Sequence, residues 1–138
     1  MPPLVMVSGG YDPMHVGHIR QIKEAARHGD LLVVLNSDEW LKRKKGYVFM
    51  TYEERKEILL NVKGVKRVFP QIGDGDTMAA SLRRYKPDIF AKGGDRTPRN
   101  MPRIELDVCK ELGIEILYNV GGEKVQSSSW LIEKVRGT

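Results

Sequence analysis

Leu4-Val5-Met6-Val7-Ser8 runs straight into Gly9-Gly10-Tyr11-Asp12-Pro13-Met14-His15-Val16-Gly17-His18. The first five residues are a short apolar run of the kind that forms a strand buried on both faces. Two glycines then let the chain turn, after which Val16, Ile19, Ile22, Ala25 and Ala26 recur at helical spacing. Gly29 is placed to close that helix as its C′ residue, and Leu31 to Leu35 is a second buried-strand run. Strand, turn, helix and strand in so short a stretch make a βαβ unit, which joins parallel strands.

The rest of the chain repeats this alternation. Thr51-Tyr52-Glu53-Glu54 is a capping-box pattern and announces a helix with Ile58, Leu59 and Val62 on its apolar side. Val65 to Phe69 predicts a strand, Thr77 to Tyr85 a helix, and Asp88 to Ala91 a short strand after Pro87. A helix from about Pro102 to Leu112 has proline near its start and Gly113 just past its end. Ile114 to Tyr118 is the fifth strand, and Ser127 to Val135 the closing helix. The expected fold is therefore α/β, a Rossmann-like three-layer sandwich with a five-stranded parallel sheet, in a single domain over residues 1–138. Such sheets bind ligands beyond the carboxyl ends of their strands.

A net charge of +5 and a pI near 9.4 favour an anionic partner: a nucleotide, a phosphorylated metabolite, nucleic acid or a membrane surface. The densest charge is Lys42-Arg43-Lys44-Lys45 before Gly46, expected as a mobile, solvated loop from Lys42 to Met50. The interleaved aromatics of a single-strand binding surface are missing, so nucleic acid is not the expected partner. A signal-peptide start and an apolar run of membrane-spanning length are also missing, which points to the cytoplasm and away from a membrane. The single Cys109, beside a stripe of Ile104, Val108 and Leu112, is expected half-buried and outside the chemistry.

His15 and His18 are three residues apart at the start of a helix and so share one face, with room left beside them by Gly17. Glycine backbone and helix amides there suit a phosphate, and two imidazoles can stabilise the charge that grows during phosphoryl-type transfer. The plain alternative is a capped helix with two surface histidines. Lys92-Gly93-Gly94-Asp95-Arg96 follows a strand and can present backbone groups to a nucleobase, or make a simple turn. Ser127, Ser128 and Ser129 open the last helix, where hydroxyls cap amides and also form an anion site.

Gly9 to His18 resembles the G-x-[FY]-D-x-x-H-x-G-H signature of the cytidylyltransferase-like nucleotidyltransferases, with Tyr11 at the aromatic position. The resemblance implies that His15 and His18 contact a triphosphate, that Asp12 shapes the site, and that Lys45 before Gly46, with Lys44 as its rival, reaches the phosphates. It also implies that Arg55 holds the acceptor or triphosphate side, against the plainer reading of Arg55 as an exposed partner of Glu54 or Glu57. K-G-G-D resembles the same segment in heptose-phosphate adenylyltransferases, as do Asn36-Ser37-Asp38 and Lys86-Pro87-Asp88. The cytidylyltransferase branch carries R-T-E-G-I-S-T-[ST] before the last helix. Here the serines match, but Gly122 stands at the arginine position, with Lys124 as a candidate substitute.

The implied reaction is in-line attack of an acceptor phosphate on the α-phosphorus of a nucleoside triphosphate, releasing pyrophosphate. Mg²⁺ is expected to arrive with the nucleotide, because no carboxylate cluster forms a dedicated site. By resemblance the donor is ATP and the acceptor a phosphorylated sugar, with CTP and glycerol 3-phosphate as the alternative pair, and the enzyme is a homodimer. A nucleotide- or nucleic-acid-binding module without turnover fits the charge but leaves the paired histidines unexplained.

Overall fold

Strand β1 (Leu4–Gly9) lies at the centre of a sheet between β2 (Asp30–Leu35) and β4 (Ile89–Ala91). Beyond them lie β3 (Val65–Pro70) and β5 (Glu115–Leu117), giving the order β3-β2-β1-β4-β5 with every neighbouring pair parallel. The computed structural model describes residues 1–73, 75–94, 96–122 and 126–137. Its helices are α1 (Val16–Ala25), α2 (Asp38–Lys45), α3 (Tyr52–Leu60), α4 (Ala79–Tyr85), α5 (Arg103–Leu112) and α6 (Ser128–Arg136). This is the Rossmann-like α/β sandwich expected from the alternation.

Both faces of the sheet are apolar because each central strand sends alternate side chains to opposite layers. Val5, Val7, Leu31, Val33, Leu35, Ile89 and Ala91 join Ile22, Ala25 and Leu59 under α1 and α3. Met6, Leu32, Val34 and Phe90 join Leu82, Val108 and Cys109 under α4 and α5. The chain moves outward from β1 to β3, then returns through α4 to place β4 on the other side of β1. The order in which strands are added thus reverses between β1 and β4, which opens a crevice at their carboxyl ends.

Four local expectations change. Lys42 to Lys45 form the last turn of α2, closed by Gly46 at φ 82°, and not the start of a mobile loop. Ser37 caps this helix and its terminal cations suit the negative end of the helix dipole, while Lys44 and Arg43 pair with Asp76 at 2.8 and 3.7 Å. Gly29 does not cap α1, whose C-cap is Ala26. A Cβ on Gly29 would lie 2.1 Å from the Pro3 carbonyl oxygen, so this glycine serves a close backbone approach. On α5 the buried face is Glu105, Val108 and Cys109, with Ile104 exposed. Cys109 is therefore fully buried, and burial pushes its thiol up to about 11. On α3, Leu59 is buried but Ile58 faces solvent.

Candidate functional site

The turn after β1 ends in a reciprocal cap built from histidines. His15 is the N-cap of α1, and its Nδ1 accepts the Gly17 N–H at 3.0 Å, while His18 Nδ1 accepts the His15 N–H at 3.2 Å. This is the capping-box geometry with imidazoles in place of hydroxyl and carboxylate. The two rings stack with centroids 3.7 Å apart and 23° between planes. With Nδ1 occupied as an acceptor, the neutral ring carries its proton on Nε2, so each histidine offers one Nε2–H. Burial, then the charges of His15 and Lys45, lower His18 from 6.5 to about 3 and keep it neutral. The capped-helix reading and the phosphate-contact reading are thus compatible, because different ring nitrogens perform them.

Both histidines line a cavity of about 360 Å³ at the carboxyl edge of the sheet. Gly17, Lys45, Gly93, Gly94, Ser127, Ser128 and Ser129 line it too, so residues far apart in sequence converge there. Ser127 caps α6 by accepting the Trp130 N–H at 3.0 Å, and Ser128 donates its hydroxyl to the Pro13 carbonyl at 2.8 Å. The second bond ties the α6 N-terminus to the histidine turn. Gly94 is held between β4 and the loop beyond β5, since a Cβ there would meet the Gly122 carbonyl oxygen at 2.2 Å. Asp95 and Lys124 lie outside the described residues.

Gly10, Tyr11 and Asp12 act as supports of the histidine turn in this structure. Gly10 makes room for Leu41, whose Cδ2 would be 2.9 Å from an added Cβ, and Tyr11 is 3% exposed with its ring 4.6 Å from that of His18. Asp12 is 1% exposed and accepts the Phe49 and Met50 N–H groups, both at 2.7 Å. Its carboxylate pins the segment after α2 to the histidine turn.

The expectation for Arg55 needs correction in both versions, since it is neither an exposed helix partner nor open to a ligand. It is 1% exposed, its Nε donates to the Met50 carbonyl, and its Nη1 donates to the Gly10 and Asn36 carbonyls. Its Nη2 pairs with Asp38 at 2.7 Å. A planar fork of donors matches these converging carbonyls, which end β1 and β2 and would otherwise be unsatisfied.

A second cavity of about 310 Å³ adjoins the first, with Gln21 and Gly93 on the walls of both. Gly9 and Lys92 face this one, together with Asn36, Trp40, Arg96 and Glu105. Lys92 therefore belongs with the second cavity and not with the histidines. Sequence reading passed over Gln21, although a glutamine three residues after His18 on the same helical face was a legible signal. It also passed over Trp130 in the first cavity and over Trp40 and Glu105 in the second, whereas Arg96, the end of the glycine segment after β4, does line the second. Among the described residues, no group of three or more His, Cys, Asp or Glu side chains is placed to hold a metal ion. No helix among them is long and apolar enough to cross a membrane.

A parallel sheet whose switch point carries a His-x-Gly-His cap, a glycine loop and a serine-capped helix defines an α/β domain of the nucleotide-site class. The chain belongs to the cytidylyltransferase-like family, whose model matches residues 6–130. It is 34% identical over 137 residues to the bifunctional protein HldE of Syntrophotalea carbinolica, covering 96% of this chain and 26% of that one. It is 36% identical over 138 residues to the same-named protein of Geotalea uraniireducens, covering 96% and 27%. The chain thus spans about a quarter of the length of these curated relatives. Among solved structures, the lipopolysaccharide core biosynthesis protein of Thermoplasma volcanium superposes with a TM-score of 0.66 at 30% identity, covering 84% of this chain and 93% of the other.

Proposed function

We propose that this chain is a nucleotidyltransferase that moves the adenylyl group of ATP onto a phosphorylated sugar and releases pyrophosphate. The observation that carries the reading is the pair of adjoining cavities with Gln21 and Gly93 in common, one walled by the histidine cap and Lys45, the other by Lys92 and Arg96. Two anions must be brought together for this reaction, and cations on both sides of one wall offset their repulsion. An oxygen of the acceptor phosphate bonds to the α-phosphorus as the bond to pyrophosphate breaks. The acceptor oxygen is already ionised, so no side chain has to remove a proton. The Nε2–H groups of His15 and His18 donate to phosphate oxygens, and Lys45 offsets the charge on the leaving group. Mg²⁺ enters with the triphosphate.

The preference for ATP rests on Lys92-Gly93-Gly94-Asp95 and on Gly122 in place of the cytidylyltransferase arginine, both features of the adenylyltransferase resemblance. The working unit proposed is a cytoplasmic homodimer. Pyrophosphate release measured for four nucleoside triphosphates against a panel of phosphorylated sugars and polyols tests the reading. ATP with a sugar phosphate is the expected productive pair. A clear preference for CTP with glycerol 3-phosphate would move the chain to the alternative branch, and no productive pair at all would remove the transferase reading.

A further inference from the structure

Two buried polar atoms on the wall-lining residues of the second cavity find no hydrogen-bond partner among the described residues. Glu105, in the first turn of α5, is 3% exposed. Its Oε2 accepts the Met78 N–H at 2.8 Å, while its Oε1 makes no hydrogen bond among the described residues. Lys92 Nζ is 3.9 Å from that oxygen, near enough for charge attraction and beyond hydrogen-bond reach. Trp40, on α2, lines the same cavity, and its buried Nε1 likewise has no partner among the described residues. Buried polar groups in folded proteins are nearly always satisfied, so two such atoms from residues facing one cavity call for a ligand that satisfies both.

Their chemistry narrows the ligand. A carboxylate oxygen only accepts and an indole N–H only donates, whereas a hydroxyl does either. A buried carboxylate repels a phosphate, so the anionic end of a bound molecule must lie away from Glu105 Oε1, toward Arg96 and the wall at Gly93 that adjoins the first cavity. The end of the molecule at Glu105 is then hydroxylated and neutral.

We propose that the second cavity binds the hydroxylated body of a sugar phosphate, with Glu105 Oε1 accepting from one hydroxyl and Trp40 Nε1 donating to another. These two residues set acceptor specificity. The inference rests on the transferase reading for the direction in which the phosphate points, and not for the hydroxyl contacts. A site built to bond hydroxyls also rejects analogues lacking them, because its own polar groups are then left unpaired.

The test uses the indole N–H signals of the full chain, which has two tryptophans, assigned with Trp130→Phe. Pentose, hexose and heptose phosphates at millimolar concentration, and inorganic phosphate, are the probes. At least one sugar phosphate should move the Trp40 Nε1–H signal downfield, and inorganic phosphate should not. Glu105→Gln should weaken that sugar phosphate about tenfold or more while ATP binding is unchanged. Trp40→Phe, which keeps an aromatic face, should weaken it as well and serves if Glu105→Gln does not fold. The inference is overturned if inorganic phosphate moves the signal equally, if no sugar phosphate moves it, or if the folded variants bind the sugar phosphate as the parent does. Pyrophosphate release without any Trp40 shift would overturn this inference and leave the transferase reading standing. A Trp40 shift without release from any triphosphate would do the reverse.

Discussion

The His15 N–H donates to His18 Nδ1 at 3.2 Å, and the two rings stack at 3.7 Å, so each imidazole position depends on the other. Replacing either by alanine removes an Nε2–H donor and part of the α1 cap. Turnover should fall by about 10²- to 10³-fold, as for loss of one preorganised donor. Stability should fall by about 1 kcal/mol, as for loss of a helix cap. His15→Asn separates the roles, since asparagine caps well but cannot replace the outward donor: urea unfolding should be near the parent's and steady-state turnover still low. Near-normal turnover in both alanine variants would remove the catalytic assignment.

Gly17→Ala should lower activity with little change in stability. Alanine favours a helix over glycine by about 1 kcal/mol. Yet its Cβ would sit 2.9 Å from His15 Cε1, so the imidazole must swing away. The displaced ring no longer accepts the Gly17 N–H, which offsets the helix gain, so the expected result is a thermal midpoint near the parent's with turnover reduced at least about 10-fold. A variant as active as the parent would mean that the ring position is not critical.

Acid should destabilise the fold partly through His18. The unfolded chain takes up this proton near pH 6.5, whereas the folded chain resists until about 3 because the ring is buried beside His15 and Lys45. A lowered histidine leaves stability whole above the unfolded value and removes it progressively as pH falls from 6.5 toward 3. Denaturant titrations at several pH values in that window should show a shallower loss for His18→Asn than for the parent. Equal slopes would count against the neutral, buried imidazole.

Arg55→Met should be among the most damaging single changes even though the side chain lines neither cavity. It leaves Asp38 and the carbonyls of Gly10, Asn36 and Met50 without their shared donor, at a cost of about 3–5 kcal/mol. Chemical unfolding would register the loss directly. A drop under about 1 kcal/mol would show that water or rearrangement satisfies those carbonyls.

The sheet was legible because both layers of the core are written as unbroken apolar runs, as in Leu31 to Leu35, between helical repeats. The histidine pair was legible because neighbours in sequence are neighbours in space at a helix start. Helix α2 was hidden because only Leu41 is buried along it and its charges dominate the composition. Arg55 misled because nothing in Glu53-Glu54-Arg55-Lys56 reveals three carbonyls from other segments converging on it. The second cavity is built from α2, α5 and strand ends far apart in the chain, a proximity that topology creates and local pattern does not record. Glu105 looked like any charged residue on a surface helix until the α5 face turned inward.

The wall at Gln21 and Gly93 between the two cavities bears on the handedness of the product. In the reaction proposed for this chain, the oxygen enters from one chamber and pyrophosphate departs in the other, so the α-phosphorus is turned inside out once per turnover. A donor made chiral there by sulfur substitution should yield a product of the opposite configuration only. A double-displacement route through an enzyme-bound nucleotide would return the original one.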